Sequence, residues 1–236
     1  AGTGSLSITA SDDAPTLILG HNTALDASTV VFEQGGSPVY LLDNSVPSAI
    51  GVATISDPDD ADIASASVVI SNNLGAGDVL SVATPSGWSR VGNVLTTAGG
   101  ATINVVYTAG TGTLSLATAS GHVSKADFES LLEHVQFQNN TASPTASGAS
   151  RAITWSITDA NAVSDAGGAQ SASGTSYLTI RDVNDAPTLA PASSSASYTE
   201  GAASVTLPTV VVTDPDAGEI VTATLTLAQP SAGTLS

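Results

Sequence analysis

The stretch Arg181-Asp182-Val183-Asn184-Asp185-Ala186-Pro187 decides how this chain is organised. Two acids and an amide fall within four residues, follow an apolar strand-like run and stop at a proline. A second version lies near the N-terminus as Asp12-Asp13-Ala14-Pro15, and both continue Thr-Leu, at Thr16-Leu17 and Thr188-Leu189. The two Asp-Ala-Pro-Thr-Leu copies stand 172 residues apart, Asp13 to Asp185. Each is followed downstream by Asp-Pro-Asp, at Asp57-Pro58-Asp59 and Asp214-Pro215-Asp216. An acidic linker, an apolar run and an acidic loop, met twice, mark a module boundary. On this reading 1–13 is the last strand of one module plus its linker, 14–183 is a complete module, and 184–236 is a linker and the opening part of the next.

With 236 residues there is room for one or two domains. A hydrophobic content of 42% and a mean hydropathy of +0.24 are enough for a packed core. Aromatics make up only 4%, so small and β-branched side chains must fill it, which favours a β-sandwich. The charge is lopsided: 21 acids against 4 bases, net −17. Nucleic acid and anionic membrane surfaces are excluded as partners, because almost nothing can neutralise phosphates. Such a body repels itself unless cations sit where acids cluster. The absence of cysteine rules out zinc-thiolate sites, disulfides and a thiol nucleophile. No run reaches the length of a membrane span. Ala1-Gly2-Thr3-Gly4 lacks a basic n-region and an apolar h-region and so does not read as a signal peptide, and the pattern still running at Ser236 reads as a piece of something longer.

Along the chain, Ser5–Thr9 alternates like a strand. From Ala14 onward β runs are punctuated by Gly, Pro, Asn and Asp. The expected strands are 29–32, 38–42, 49–55, 64–71, 79–82, 91–96, 103–108, 112–117, 135–138, 152–158 and 177–181. Many short strands with regular breaks predict an all-β fold: immunoglobulin-like antiparallel β-sandwich modules in tandem. One interruption predicts a short helix over about 124–134. Phe128, Leu131, Leu132 and Val135 fall at i, i+3, i+4 and i+7, and Ser124 with Asp127 forms a variant capping box, with a Val123–Phe128 staple.

Asp57-Pro58-Asp59-Asp60-Ala61-Asp62 holds four carboxylates in six residues with no Lys or Arg nearby in sequence. Two carboxylates about 4 Å apart repel by roughly 4 kcal/mol at an effective dielectric near 20. A hard divalent cation removes that penalty, and Ca²⁺ takes six to eight oxygens from flexible loops. In an immunoglobulin-type sandwich the B–C and F–G loops share one end. With 49–55 as strand B and 152–158 as strand F, Asp57, Asp59 and Asp159 meet there, beside the incoming Asp12-Asp13. The exit linker, Asp182, Asn184 and Asp185, then meets Asp214 and Asp216 of the next module. Glu33 and Glu200, each before a strand leading to Asp-Pro-Asp, complete the candidate metal ligands. The plainer alternative is that these Asp and Asn residues only cap turns; Asp26, Asp43, Asp78 and Asp165 read as ordinary loop residues. The EF-hand pattern is not matched.

Asp-Val-Asn-Asp-Ala-Pro resembles the cadherin linker motif, and Asp-Pro-Asp resembles the cadherin acidic loop. The stretch Ala14–Pro187, with its inserted helix before Val135–Thr141 and its Ile157-Thr158-Asp159, is similar to the bacterial cadherin-like modules of giant repeats-in-toxin (RTX), type I-secreted surface adhesins. That resemblance implies calcium-rigidified extracellular rods at the cell surface, whose partners are neighbouring modules of the same chain. Two departures stand out: Ser11-Asp12-Asp13 lacks the asparagine, and Gln34 stands where the second copy has Glu200.

Catalysis finds no support. His21, His122 and His134 have no spacing or acid pattern for a triad or zinc site, and no Gly-x-Ser-x-Gly elbow exists. Trp88 is either a sugar-stacking side chain or a loop anchor; Trp155 reads as core. The leading expectation is a calcium-binding spacer repeat supporting cell adhesion. The alternatives are a module binding glycans, surfaces or other partners, and a subunit of a fibre built with other copies of itself by strand addition.

Overall fold

The computed structural model describes residues 11–20, 22–25, 29–42, 53–161, 167–191, 197–206 and 210–216, with 222 and 224. The expected strand Ser5–Thr9, residues 49–52, His21, Asp26, Asp43, Asp165 and nearly all of 217–236 lie outside the described residues. The chain divides into two compact units, Ala1–Val183 and Asn184–Ser236.

The first unit is mostly β, with one helix and several sheets. Its strands are β1 Thr16–Leu19, β2 Val30–Glu33, β3 Val39–Tyr40, β4 Ala53–Ser56, β5 Ile63–Asn72, β6 Asp78–Val82, β7 Ser89–Val91, β8 Val94–Thr96, β9 Thr102–Thr108, β10 Thr113–Ser120, β11 Val135–Asn139, β12 Ser150–Asp159 and β13 Ser171–Arg181. An eight-stranded sheet runs β2-β13-β12-β5-β10-β9-β8-β7; smaller sheets are β3-β11-β6 and β1-β4. The large and small sheets meet at Phe32 of β2 and Phe137 of β11, edge to face at 5.3 Å. Leu19 of β1 lies on Gly174 of β13, where a Cβ would come within 3.0 Å of Leu19 Cδ1.

Strand β12 shows why the layers stay together. Its alternation puts Arg151, Ile153, Trp155, Ile157 and Asp159 all on the buried face. Trp155 is fully enclosed, and its indole N–H donates to Ser176 Oγ at 2.8 Å. Each such apolar side chain contributes about 1.5–3 kcal/mol on burial.

Helix α1, Lys125–Glu133, forms where the periodicity predicts it. Ser124 Oγ accepts the Asp127 N–H, the Asp127 side chain reaches back to Ser124 N–H, and Val123, Phe128, Leu131, Leu132 and Val135 are buried.

Three strand expectations need correction. The sandwich is not purely antiparallel, because β2 pairs parallel with β13, Leu178 opposite Val30. The run 91–96 is a hairpin, β7 and β8, turning at Gly92, whose φ of +57° suits glycine. Strand β13 begins six residues before Tyr177, at Ser171, in a Ser/Ala/Gly/Thr stretch without large apolar residues to announce it.

In the second unit, β14 Thr188–Pro191 pairs antiparallel with β15 Val210–Thr213. No helix among the described residues is long and apolar enough to cross a membrane.

Candidate metal centre

Three separate segments bring acids to one end of the first unit. Asp12 comes from the segment before β1, Asp57, Asp59 and Asp60 from the loop after β4, and Asp159 from the last position of β12. One carboxylate oxygen from each of Asp12, Asp60 and Asp159 lies within 4.8 Å of the others, and the same holds for Asp57, Asp59 and Asp60. Asp60 belongs to both groups, so the five acids are contiguous. Oxygens this close together could share one metal ion.

The loop geometry comes from the aspartates themselves. Asp57 Oδ1 accepts the N–H of Asp59 at 3.1 Å and of Asp60 at 2.9 Å. Asp59 Oδ2 accepts the N–H of Asp13 at 3.0 Å, tying the incoming segment to the loop. Both Asp159 oxygens accept the Gln170 N–H, at 3.1 and 2.9 Å. These bonds leave an unusual residue. Both oxygens of Asp12, Oδ2 of Asp57 and Oδ1 of Asp59 are buried without a hydrogen-bond partner. Asp12 and Asp57 are only 7% and 8% exposed.

The electrostatics follow. Desolvation, then the charges of Asp159, Asp59 and Asp60, push the Asp12 carboxyl from 3.8 up to about 6. Desolvation also raises Asp159, helped by Asp60 and Asp57 and opposed by the Gln170 N–H. Asp59 is held low, chiefly by the N–H of Asp13. Asp12 and Asp159 are thus raised by burial first and by neighbouring carboxylates second.

The remaining candidates sit elsewhere. The Asp13 side chain is exposed while its N–H serves Asp59. Glu33 stands at the Arg181 end of β13, about 30 Å of strand away from Ser171, and its carboxylate meets Arg181 Nη1 at 3.1 Å. At that same end, Asp182 Oδ2 accepts from Thr145 Oγ1 at 2.5 Å, and its Oδ1 is buried without a partner. In the second unit, the Asp185 N–H donates to Asp216 Oδ2 at 2.6 Å and the Asp216 N–H to Asp214 Oδ1 at 3.0 Å. Asn184 and Glu200 are exposed. Among the described residues, no third acid closes on Asp214 and Asp216 to the spacing seen around Asp60.

Sequence reading passed over several partners. Asp60, counted in the loop but not chosen as a ligand, is the hub. The loop is not free of basic neighbours: Lys125 Nζ donates to the carbonyls of Asp57 at 2.9 Å and Asp60 at 2.5 Å. His122 does have an acid, Asp62, with Nδ1 2.6 Å from its carboxylate. Asp78 is no ordinary loop residue; it is buried and ion-paired with Arg151 at 2.7 Å. His134 caps α1 with Nδ1 against Ser130 O at 2.7 Å, and Trp88 packs half-buried on the core.

No protein-family model, curated protein or solved structure matches this chain.

Proposed function

We propose that this chain is a calcium-rigidified, extracellular spacer repeat of a large bacterial adhesin or surface filament, built of immunoglobulin/cadherin-like modules in tandem. The observation that carries it is the meeting of Asp12, Asp57, Asp59, Asp60 and Asp159 with buried carboxylate oxygens left over. An all-oxygen, carboxylate-rich site built on loops suits Ca²⁺ better than zinc or copper. The repeat of linker and loop in the second unit supports a tandem arrangement, and the net charge of −17 supports a calcium-rich medium. The order β13-β12-β5 in the large sheet matches the G-F-C order of immunoglobulin-type sandwiches.

The mechanism is mechanical. An ion held by Asp12 and the Asp57–Asp60 loop binds only the folded state, adding roughly 2.7 kcal/mol when free calcium is 100-fold above its dissociation constant. It also fixes the incoming segment on the sandwich. Calcium titration by calorimetry, with thermal melts in calcium and in chelator, tests this. Uptake of calcium with a raised melting temperature is expected; no heat and identical melts would sink the proposal.

A further inference from the structure

Helix α1 grips the acidic loop at four points. Lys125 Nζ holds the carbonyls of Asp57 and Asp60, and Lys125 N–H reaches Ala61 O at 3.3 Å. Ser124 bridges to Asp62, and one turn along the helix Glu129 Oε1 accepts the Ile55 N–H at 2.7 Å, just before the loop. Of these groups only the Lys125 ammonium holds the loop's centre. It uses main-chain carbonyls and leaves carboxylates to face Asp12, whose two oxygens are buried and unpartnered.

We infer that Lys125 is a positioning residue for the candidate calcium site, its ammonium pre-ordering the Asp57–Asp60 loop before an ion arrives. The inference rests on the calcium reading. Two effects of opposite sign meet here. An ordered loop spares the ion the entropy of organising its ligands. The positive charge of Lys125 repels a divalent cation. The geometry favours ordering, since one ammonium spans two carbonyls three residues apart in a loop without regular secondary structure. Removing the donors should therefore weaken calcium binding even though it also removes a repulsive charge.

The test compares the full chain with Lys125→Met, which keeps the stem but not the donors, Lys125→Gln, whose shorter neutral amide retains N–H donors but does not reach both carbonyls, and Lys125→Arg, which keeps charge and donors. Calcium affinity is read by calorimetry, and exchange of the Asp59 and Asp60 amides by NMR in chelator. Expected for Met and Gln is affinity weaker by about tenfold, the factor for ordering roughly one residue's backbone, with faster exchange at both amides. Arg should restore both readouts. Unchanged or tighter calcium binding in the Met and Gln variants overturns the inference and leaves the calcium reading standing. A wild-type chain that takes up no calcium overturns both, and the wild-type titration tells the two failures apart.

Discussion

The backbone N–H of Asp13 donates to the Asp59 carboxylate at 3.0 Å. The second unit repeats the bond between Asp185 and Asp216 at 2.6 Å. The repetition extends outward. Asp59 N–H to Asp57 Oδ1 corresponds to Asp216 N–H to Asp214 Oδ1, and Thr16 Oγ1 to Ser56 O corresponds to Thr188 Oγ1 to Thr213 O. Yet the bonded acids are 46 residues apart in the first unit and 31 in the second. The clasp is kept while the chain between its halves changes length. It also reconciles the two readings of these aspartates. One oxygen of Asp57 caps the turn and one of Asp59 holds the incoming segment, and the other oxygen of each is left buried without a partner.

That division of labour separates two substitutions. Asp57→Asn keeps an oxygen for the N–H groups of Asp59 and Asp60, so the metal-free melting point should stay near wild type while the response to calcium falls. Asp57→Ala loses both, and should lower metal-free stability by about 1–3 kcal/mol as well. Melts of both variants with and without calcium check this; an undiminished calcium response in Asp57→Asn would remove Asp57 from the ligand set.

The raised acids set a pH dependence of unusual sign. Asp12 binds its proton more tightly folded, near 6, than at its ordinary 3.8. Without metal, its contribution therefore favours the folded state more as pH falls from about 6 to about 4, and is constant below that. Asp159, also raised, acts in the same direction. Asp59, held low by the Asp13 N–H, works the other way, and its contribution is lost below the ordinary range. Calcium affinity should fall as the pH drops through 6, because protons compete for Asp12. Melts in chelator between pH 4 and 7, paired with calcium titrations, give both slopes; a calcium affinity flat across that range contradicts the assignment of Asp12.

At the other end of β12, Arg151 and Asp78 form an ion pair with both side chains fully buried. Arg151 also donates to the carbonyls of Gly148 and Pro144, and Asp78 accepts from Gly75 N–H and Asn139 Nδ2. Arg151→Met leaves a buried carboxylate without its counter-charge, holding only the Gly75 and Asn139 donors, and removes the guanidinium donors from two carbonyls, which should destabilise by about 3–5 kcal/mol. Urea unfolding measures it. A loss under 1 kcal/mol would mean that water reaches the pair.

Ser176→Ala removes the acceptor of the buried Trp155 indole N–H. The expected loss is about 1–3 kcal/mol, with calcium binding unchanged, since Ser176 lies on the far side of Trp155 from Asp159 along the strands. Denaturation followed by tryptophan fluorescence reads the first, calorimetry the second.

The sequence by itself determined the helix, most strands and the loops that carry the acids, because these rest on local terms. The reciprocal capping box of Ser124 and Asp127, the 128-131-132-135 spacing and alternation in β12 all act within a few residues. The convergence of Asp12, Asp57, Asp59 and Asp159 was also legible, since sandwich topology sends alternate loops to one end. Asp78 was misread because pairing with Arg151 spans 73 residues, and Lys125 was invisible because 65 residues separate it from Asp60. The parallel pairing of β2 with β13 and the glycine contact at Leu19 likewise have no local signature. Only the tertiary structure decided which charges are compensated and which carboxylate oxygens are left over. Desolvation and Coulomb energy depend on distances that the folded packing sets, not on position along the chain.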